Sequence, residues 1–177
     1  MPLGILESNA LVTQDKEDGQ AADSVVAENI VYMWSRMPAE NRMRASWFIN
    51  QEVEPRLQLM DMAVGTGGQL VYLPAGGLSA SPYGSLMGRP VVPIEHASAL
   101  GDLGDIILAD MSQYYFAEKG GIREATSIHV RFIYDEMTFR FLVRYDGLPS
   151  WSSALTPYKG DSTSGTLSPF VTLEARA

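Results

Sequence analysis

Hydrophobic and polar positions alternate with two different periods along this chain, and the change of period divides it. In the first half, Val26, Ile30, Met33, Trp34 and Met37 recur at helical spacing and define one apolar face. Asp23 and Ser24 stand before the run as candidate caps, and Pro38 ends it, so a helix is predicted over 25–37. The polar stretch Thr13 to Ala22 before it reads as an exposed loop. Ala45 to Ile49, with Trp47 and Phe48 inside it, predicts a short buried strand. A second helix is expected after Asn50, with Val53, Leu57 and Met60 on one side and Pro55 in its first turn. Gly65, Gly67 and Gly68 then turn the chain into a strand, Gln69 to Leu73, and Pro74 to Gly84 reads as a loop.

Beyond this point the pattern becomes strand-like. Arg89 to Ile94, Asp105 to Ala109, Gln113 to Ala117 and Ile122 to Ser127 are short strand candidates separated by turn residues. Thr138 to Tyr145 is the clearest: Phe139, Phe141, Val143 and Tyr145 alternate with Thr138, Arg140, Leu142 and Arg144, giving one wholly apolar face. Phe170 to Leu173 is expected to add a last edge strand. Helices and strands mixed early, with strands dominant late, predict an α+β fold: a central sheet flanked by helices, with additional long antiparallel strands. The first helix must cover its apolar face, so it is expected to lie on a sheet that includes Ala45 to Ile49 and Gln69 to Leu73.

Composition narrows the function. The chain has 177 residues, 46% hydrophobic and 19% charged, which is a globular balance with enough length for a real core. Its formal charge is −8 and its Lys and Arg are scattered, unlike the basic footprint of a nucleic-acid binder. There is no Cys, which removes disulfides, thiolate metal sites and cysteine nucleophiles together. No apolar run approaches the roughly 20 residues of a membrane-spanning helix.

The search for catalytic chemistry returns only bland readings. His96 and His129 lie far apart without a histidine partner at helical spacing. Asp102, Asp105 and Asp110 lack the Gly and terminal Glu of a calcium loop and read as turn residues. Gly65-Thr66-Gly67-Gly68 lacks the Lys-Ser/Thr ending of a phosphate loop, and Gly160-Asp161-Ser162 lacks the strand–turn–helix setting of a nucleophile elbow. Asp135 and Glu136 are adjacent, which on a strand sends them to opposite faces. No catalytic, metal or cofactor site is assigned.

An ordered series of short motifs remains. It runs Gly88-Arg89-Pro90-Val91-Val92, Gly104-Asp105-Ile106-Ile107-Leu108-Ala109-Asp110, Gln113-Tyr114-Tyr115, Glu118-Lys119-Gly120-Gly121, Phe139-Arg140 and Arg144-Tyr145-Asp146-Gly147. Ala154-Leu155-Thr156-Pro157 and Ser168-Pro169-Phe170-Val171 close it. In this order the series resembles the C-terminal portion of tailed-phage major capsid proteins with the Hong Kong phage fold. Pro2 to Leu6, the helix from Ser24, and Trp47 to Asn50 after Arg42 and Arg44 are similar to the family pattern as well.

The resemblance implies an axial-type lobe over 1–119, peripheral-type strands over 120–147, and a segment over 148–177 that returns to the axial lobe. It implies a subunit, or a truncated prophage remnant, of an icosahedral head shell around double-stranded DNA, made in the host cytoplasm and acting by self-association. Its partners would be copies of itself or the full-length capsid protein, with no cofactor, no specific nucleic-acid site and no membrane. Met1 falls mid-chain in the family pattern, so the arm, extended loop and spine helix preceding that point are absent from this sequence, as in a truncated copy or an expressed fragment. Some members crosslink a Lys to an Asn; Asn9, Asn29, Asn41 and Asn50 all lie in the first half, and that chemistry is not carried over. A nanocompartment shell of the same fold and an unrelated small ligand-binding or hydrolytic domain stand as the alternatives.

The residues of the series also have physical readings. Gly88 suits a close backbone approach, and Pro90 after Arg89 fixes an extended start to a strand. Gly104 and Asp105 open a strand. Gly120-Gly121 suits a tight reversal between two strands. Arg140 and Arg144 sit opposite the face of Phe139 and Phe141, where they either meet carboxylates at a subunit contact or stay solvated.

Overall fold

Ile106 to Ala109 and Phe170 to Leu173 are fully buried on both sides, and around these two strands the fold is built. The computed structural model describes residues 1–64, 67–70, 84–159 and 165–176, with side chains described outside 61–70. In chain order the strands of the main sheet are β1 (Val12–Gln14), β2 (Ser46–Ile49), β5 (Ser85–Leu86), β6 (Arg89–Pro93), β7 (Ile106–Ala109) and β12 (Phe170–Leu173). They lie in the order β1-β12-β7-β2-β6-β5, with β1–β12 and β2–β6 parallel and the rest antiparallel.

Period-two alternation sends neighbouring residues to opposite faces of this sheet. On one face Trp47, Ile49, Ile106, Leu108, Val171 and Leu173 meet Ile30, Met33 and Met37 of helix α1 (Ala27–Ser35) and its end, and Val53 and Leu57 of helix α3 (Val53–Gln58). Short helix α2 (Ala39–Arg42) links α1 to β2. On the other face Ile107, Ala109 and Phe170 pack with Ala10, Leu6, Phe48 and Trp151. Each large side chain so buried is worth roughly 1.5–3 kcal/mol. Trp47 also satisfies its indole N–H, which donates to the Leu86 carbonyl at 2.9 Å.

Several sequence expectations need correction. The first helix begins after Val26, whose N–H donates to Asn29 Oδ1 at 3.1 Å; Asp23 is left-handed, φ 51°, and does not cap it. Thr13 and Gln14 belong to β1 rather than to a loop, because the start of the polar run pairs in parallel with β12 opposite Thr172 and Leu173. The strand expected over Gln69–Leu73 starts at Gly67 as β4 (Gly67–Leu70) and pairs with β3 (Asp61–Val64), outside the main sheet. Residues 71–73, like 74–83 of the loop expected over 74–84, lie outside the described residues. Phe170–Leu173 is interior, not an edge: four consecutive buried side chains need neighbours on both sides.

Candidate functional site: an exposed β-ribbon

Leaving β7, the chain runs outward through β8 (Tyr114–Glu118) and β9 (Arg123–Arg131), turns at Phe132–Tyr134, and returns through β10 (Glu136–Leu142) and β11 (Tyr145–Pro149). β9 pairs with β10 and β8 with β11, both antiparallel, so the four strands are two halves of one two-stranded ribbon. This corrects two expectations. Gly120-Gly121 does not reverse the chain; β8 and β9 have different partners and run on in one direction. Between the pairs Glu118↔Tyr145 and Arg123↔Leu142 the outgoing strand spends two more residues than the returning one, and Gly120, φ 62°, sits in that bulge. The strand expected over Thr138–Tyr145 is likewise divided at Val143 and Arg144, across from the bulge.

The ribbon is tied down at its base. Ser150 donates from its N–H to the Gln113 carbonyl at 2.7 Å, and the Tyr114 hydroxyl donates to the Leu3 carbonyl at 2.9 Å. Leu3 N–H donates in turn to Gly147 O at 2.8 Å. A Cβ on Gly147 would lie 2.7 Å from the Tyr114 ring, so only glycine lets the ring cross there. At the far end Asp135 takes a left-handed turn, φ 54°, and Arg131 pairs with Glu136 at 3.0 Å.

Register assigns the faces. Phe139 lies opposite Thr126 and Phe141 opposite Glu124, with Ile128 and Val130 next along β9 on the same side. Phe139 and Phe141 are 61% and 66% exposed, and Ile133 at the tip is 84% exposed. Nearer the base Phe116 and Tyr145 stack, ring centroids 6.0 Å apart. Arg140, opposite Ala125, occupies the reverse face as expected, with Arg123 diagonal to it. Arg144 falls in the break between β10 and β11, where its carbonyl accepts from Lys119 N–H at 2.9 Å. A two-stranded ribbon with exposed apolar side chains lacks a core of its own.

The other motif residues hold the lobe together. Met87 and Gly88, both with positive φ, form the two-residue turn between β5 and β6. No atom lies within 4 Å of a Cβ built on Gly88, so its role is conformation rather than the close approach expected. Arg89 donates to the Met43 carbonyl, and Pro90 sits opposite Ser85 in the β5–β6 pair. Gly104, φ 93°, does allow a close approach: a Cβ would lie 2.6 Å from Leu6 Cδ1.

Two aspartates that the sequence marks as turn residues do stand in turns, and they also bracket β7, both buried. Asp105 closes the turn from Asp102, and its Oδ2 accepts from Gly101 N–H at 3.0 Å and from Arg176. Asp110 accepts from the Ser112 hydroxyl at 2.7 Å, Ser112 N–H at 3.0 Å and Asn41 Nδ2 at 2.8 Å, with Arg44 at 3.5 Å. Burial pushes its carboxyl up, but those donors and Arg44 outweigh burial and hold it below the usual carboxylate range. Arg36 is also buried, bonded to the Thr166 carbonyl and hydroxyl, and burial lowers its guanidinium against the opposing pull of Asp15. His96 and His129 are exposed, Gly67 and Gly68 lie in β4, and Gly160 to Ser162 lie outside the described residues. Among the described residues no group of three His, Asp or Glu side chains is placed to hold a metal ion, and no helix is long and apolar enough to cross a membrane.

The chain combines a mixed sheet, helices on one face and a long ribbon leaving it. Two solved structures share this fold. The capsid of a native GTA particle superimposes with a TM-score of 0.66 at 20% identity, and that of an empty GTA particle with 0.63 at 18%. Each match covers 99% of this chain and 56% or 57% of the capsid chain, so this sequence spans a little over half of those proteins. The phage capsid family model matches residues 1–160, and the chain belongs to that family. Its fold is the Hong Kong phage-type capsid fold, and it is a structural protein rather than an enzyme. No curated protein matches the sequence.

Proposed function

We propose that this chain is a subunit, or a shortened relative of one, of the icosahedral head shell of a tailed phage, and that it acts by self-association. It is made in the host cytoplasm, encloses double-stranded DNA without a specific nucleic-acid site, and partners with copies of itself or with a full-length capsid protein. Residues 1–119 serve as the axial-type lobe, 120–147 as the peripheral-type strands, and 148–177 as the returning segment. Gly88, Arg89, Pro90, Gly104, Asp105, Gly120 and Gly121 are the family-motif residues that shape turns and packing, Gly104 by close approach and Gly88 and Gly120 by backbone conformation, while Phe139, Arg140, Phe141 and Arg144 are the subunit contacts.

One observation carries the reading: the ribbon face bearing Phe139, Phe141, Ile128 and Val130 is exposed along its length. Burying such side chains is worth roughly 1.5–3 kcal/mol each, which favours a partner surface over water. Light scattering across a concentration series tests it. Mass is expected to rise with concentration, and the double substitution Phe139→Glu and Phe141→Glu is expected to suppress the rise. A wild-type chain that stays strictly monomeric at high concentration overturns the proposal.

A further inference from the structure

Charge is divided between the two parts of this molecule. The ribbon, residues 114–149, holds five Lys or Arg and five Asp or Glu, so the whole formal charge of −8 belongs to the rest of the chain. Within the ribbon the charges are also sorted by face. The side of β9 and β10 that carries Arg123, Ala125, Ser127, Thr138, Arg140 and Leu142 has one carboxylate, Glu136 near the tip, which is already paired with Arg131, while Glu124 lies on the phenylalanine side. Arg123 and Arg140 are diagonal neighbours on that face and exposed, and among the described residues neither has an ion-pair partner. Two like charges so placed repel until an anion comes between them.

The lobe offers the complement. An open cleft of about 570 Å³ lies between α1 and the loop after β1, lined by Asp15, Glu17, Asp18, Tyr32 and Ser35. Glu174 sits at its margin, where its carboxylate accepts from Lys16 N–H at 3.3 Å. The cations there are Lys16 and Arg36, and Arg36 is turned inward onto Thr166. Two exposed carboxylates, Asp15 and Asp18, and the half-buried Glu17 therefore stand against one exposed lysine and the inward-turned Arg36, whose charge reaches Asp15.

We infer that the arginine face of one copy's ribbon docks on the acidic cleft of a second copy, Arg123 and Arg140 meeting Asp15 and Asp18. This rests on the self-association proposed above and names a contact within it. Because the joined surfaces differ, the contact is head-to-tail, the kind that closes into rings when the rotation per copy permits. The phenylalanine face stays available for a different neighbour. Guanidinium–carboxylate pairs at such an edge steer association and set its register, and salt screens them.

Sedimentation or light scattering of the full chain at about 50 mM and about 500 mM salt tests the contact, since the screening length falls severalfold over that range. Wild type is expected to associate at least about tenfold more weakly at high salt. Two charge reversals, Arg123→Glu with Arg140→Glu and Asp15→Lys with Asp18→Lys, are each expected to remove the salt-dependent component. An equimolar mixture of the two variants is expected to regain it, because each supplies the sign the other lacks. All four substituted side chains are exposed, and circular dichroism checks that both variants fold. Association that ignores salt, or a mixture that fails to regain it, overturns this inference; if Phe139→Glu with Phe141→Glu still suppresses association, the assembly reading survives alone. Binding of a DNA duplex that is lost in the arginine variant, with no change in self-association, also overturns it and makes the face a nucleic-acid contact.

Discussion

Arg176 donates to the carboxylate of Asp105, 71 residues earlier, and neither side chain reaches solvent. The same guanidinium bonds the Ser24 carbonyl at 2.6 Å and the Glu174 carbonyl at 2.9 Å, and Arg176 N–H donates to Gly101 O at 2.6 Å. The end of the described chain is thereby clasped between the start of α1 and the turn before β7. Removing one partner of a buried pair leaves an uncompensated charge, so Arg176→Met is expected to cost about 3–5 kcal/mol. The double substitution Arg176→Met with Asp105→Asn is expected to cost less than the single change. Urea unfolding of the three proteins decides it, and an undiminished loss in the double variant would show that the charge was not the problem.

Asp110 links stability to acid. Its carboxyl is held below the ordinary value by the Ser112 and Asn41 donors and by Arg44. A depressed folded pKa gives stability that is complete above the unfolded value, about 3.9, and lost as pH falls through the folded one. Wild type is therefore expected to lose stability on acidification below about pH 5, and Asp110→Asn to show a shallower loss over the same range. Thermal melts at a series of pH values measure the difference in slope.

The glycines separate by mechanism. Gly104→Ala combines φ 93° with a Cβ driven into Leu6, and a cost of about 2–4 kcal/mol is expected. Gly88→Ala has open space but φ 73°, so about 1 kcal/mol is expected. Gly121→Ala meets neither obstacle and should change the denaturation midpoint little. Equal losses at Gly104 and Gly121 would refute the packing at Leu6.

Hydrogen exchange should divide the molecule in two. Amides of β7 and β12, interior to the main sheet, are expected to exchange only on global unfolding. Those of β9 and β10, in a two-stranded ribbon exposed on both faces, are expected to exchange by local opening several orders of magnitude faster. Protection in the ribbon that rises with protein concentration would mark the assembly contact directly; equal protection throughout at high dilution would contradict the division.

The sequence by itself determined the elements whose burial has a period. The helix expected over 25–37 forms over Ala27–Ser35 with one face on the sheet, and the strands expected over 45–49 and 105–109 form over Ser46–Ile49 and Ile106–Ala109, because those patterns have one way to hide their apolar side chains. The family motifs were legible for the same local reason, as glycines and prolines marking turns. The tertiary structure alone decided which strands pair. Thr138 to Tyr145 looked like one strand because alternation persists across a break, and only the bulge on the opposite strand, at Gly120, shows why it divides at Val143. Likewise nothing near Asp105 or Asp110 announces their partners: Arg176 and Asn41 arrive from 71 and 69 residues away. Periodicity reports how a segment meets its own two faces; long-range pairs between polar groups leave no period, so they appear only when the chain is folded.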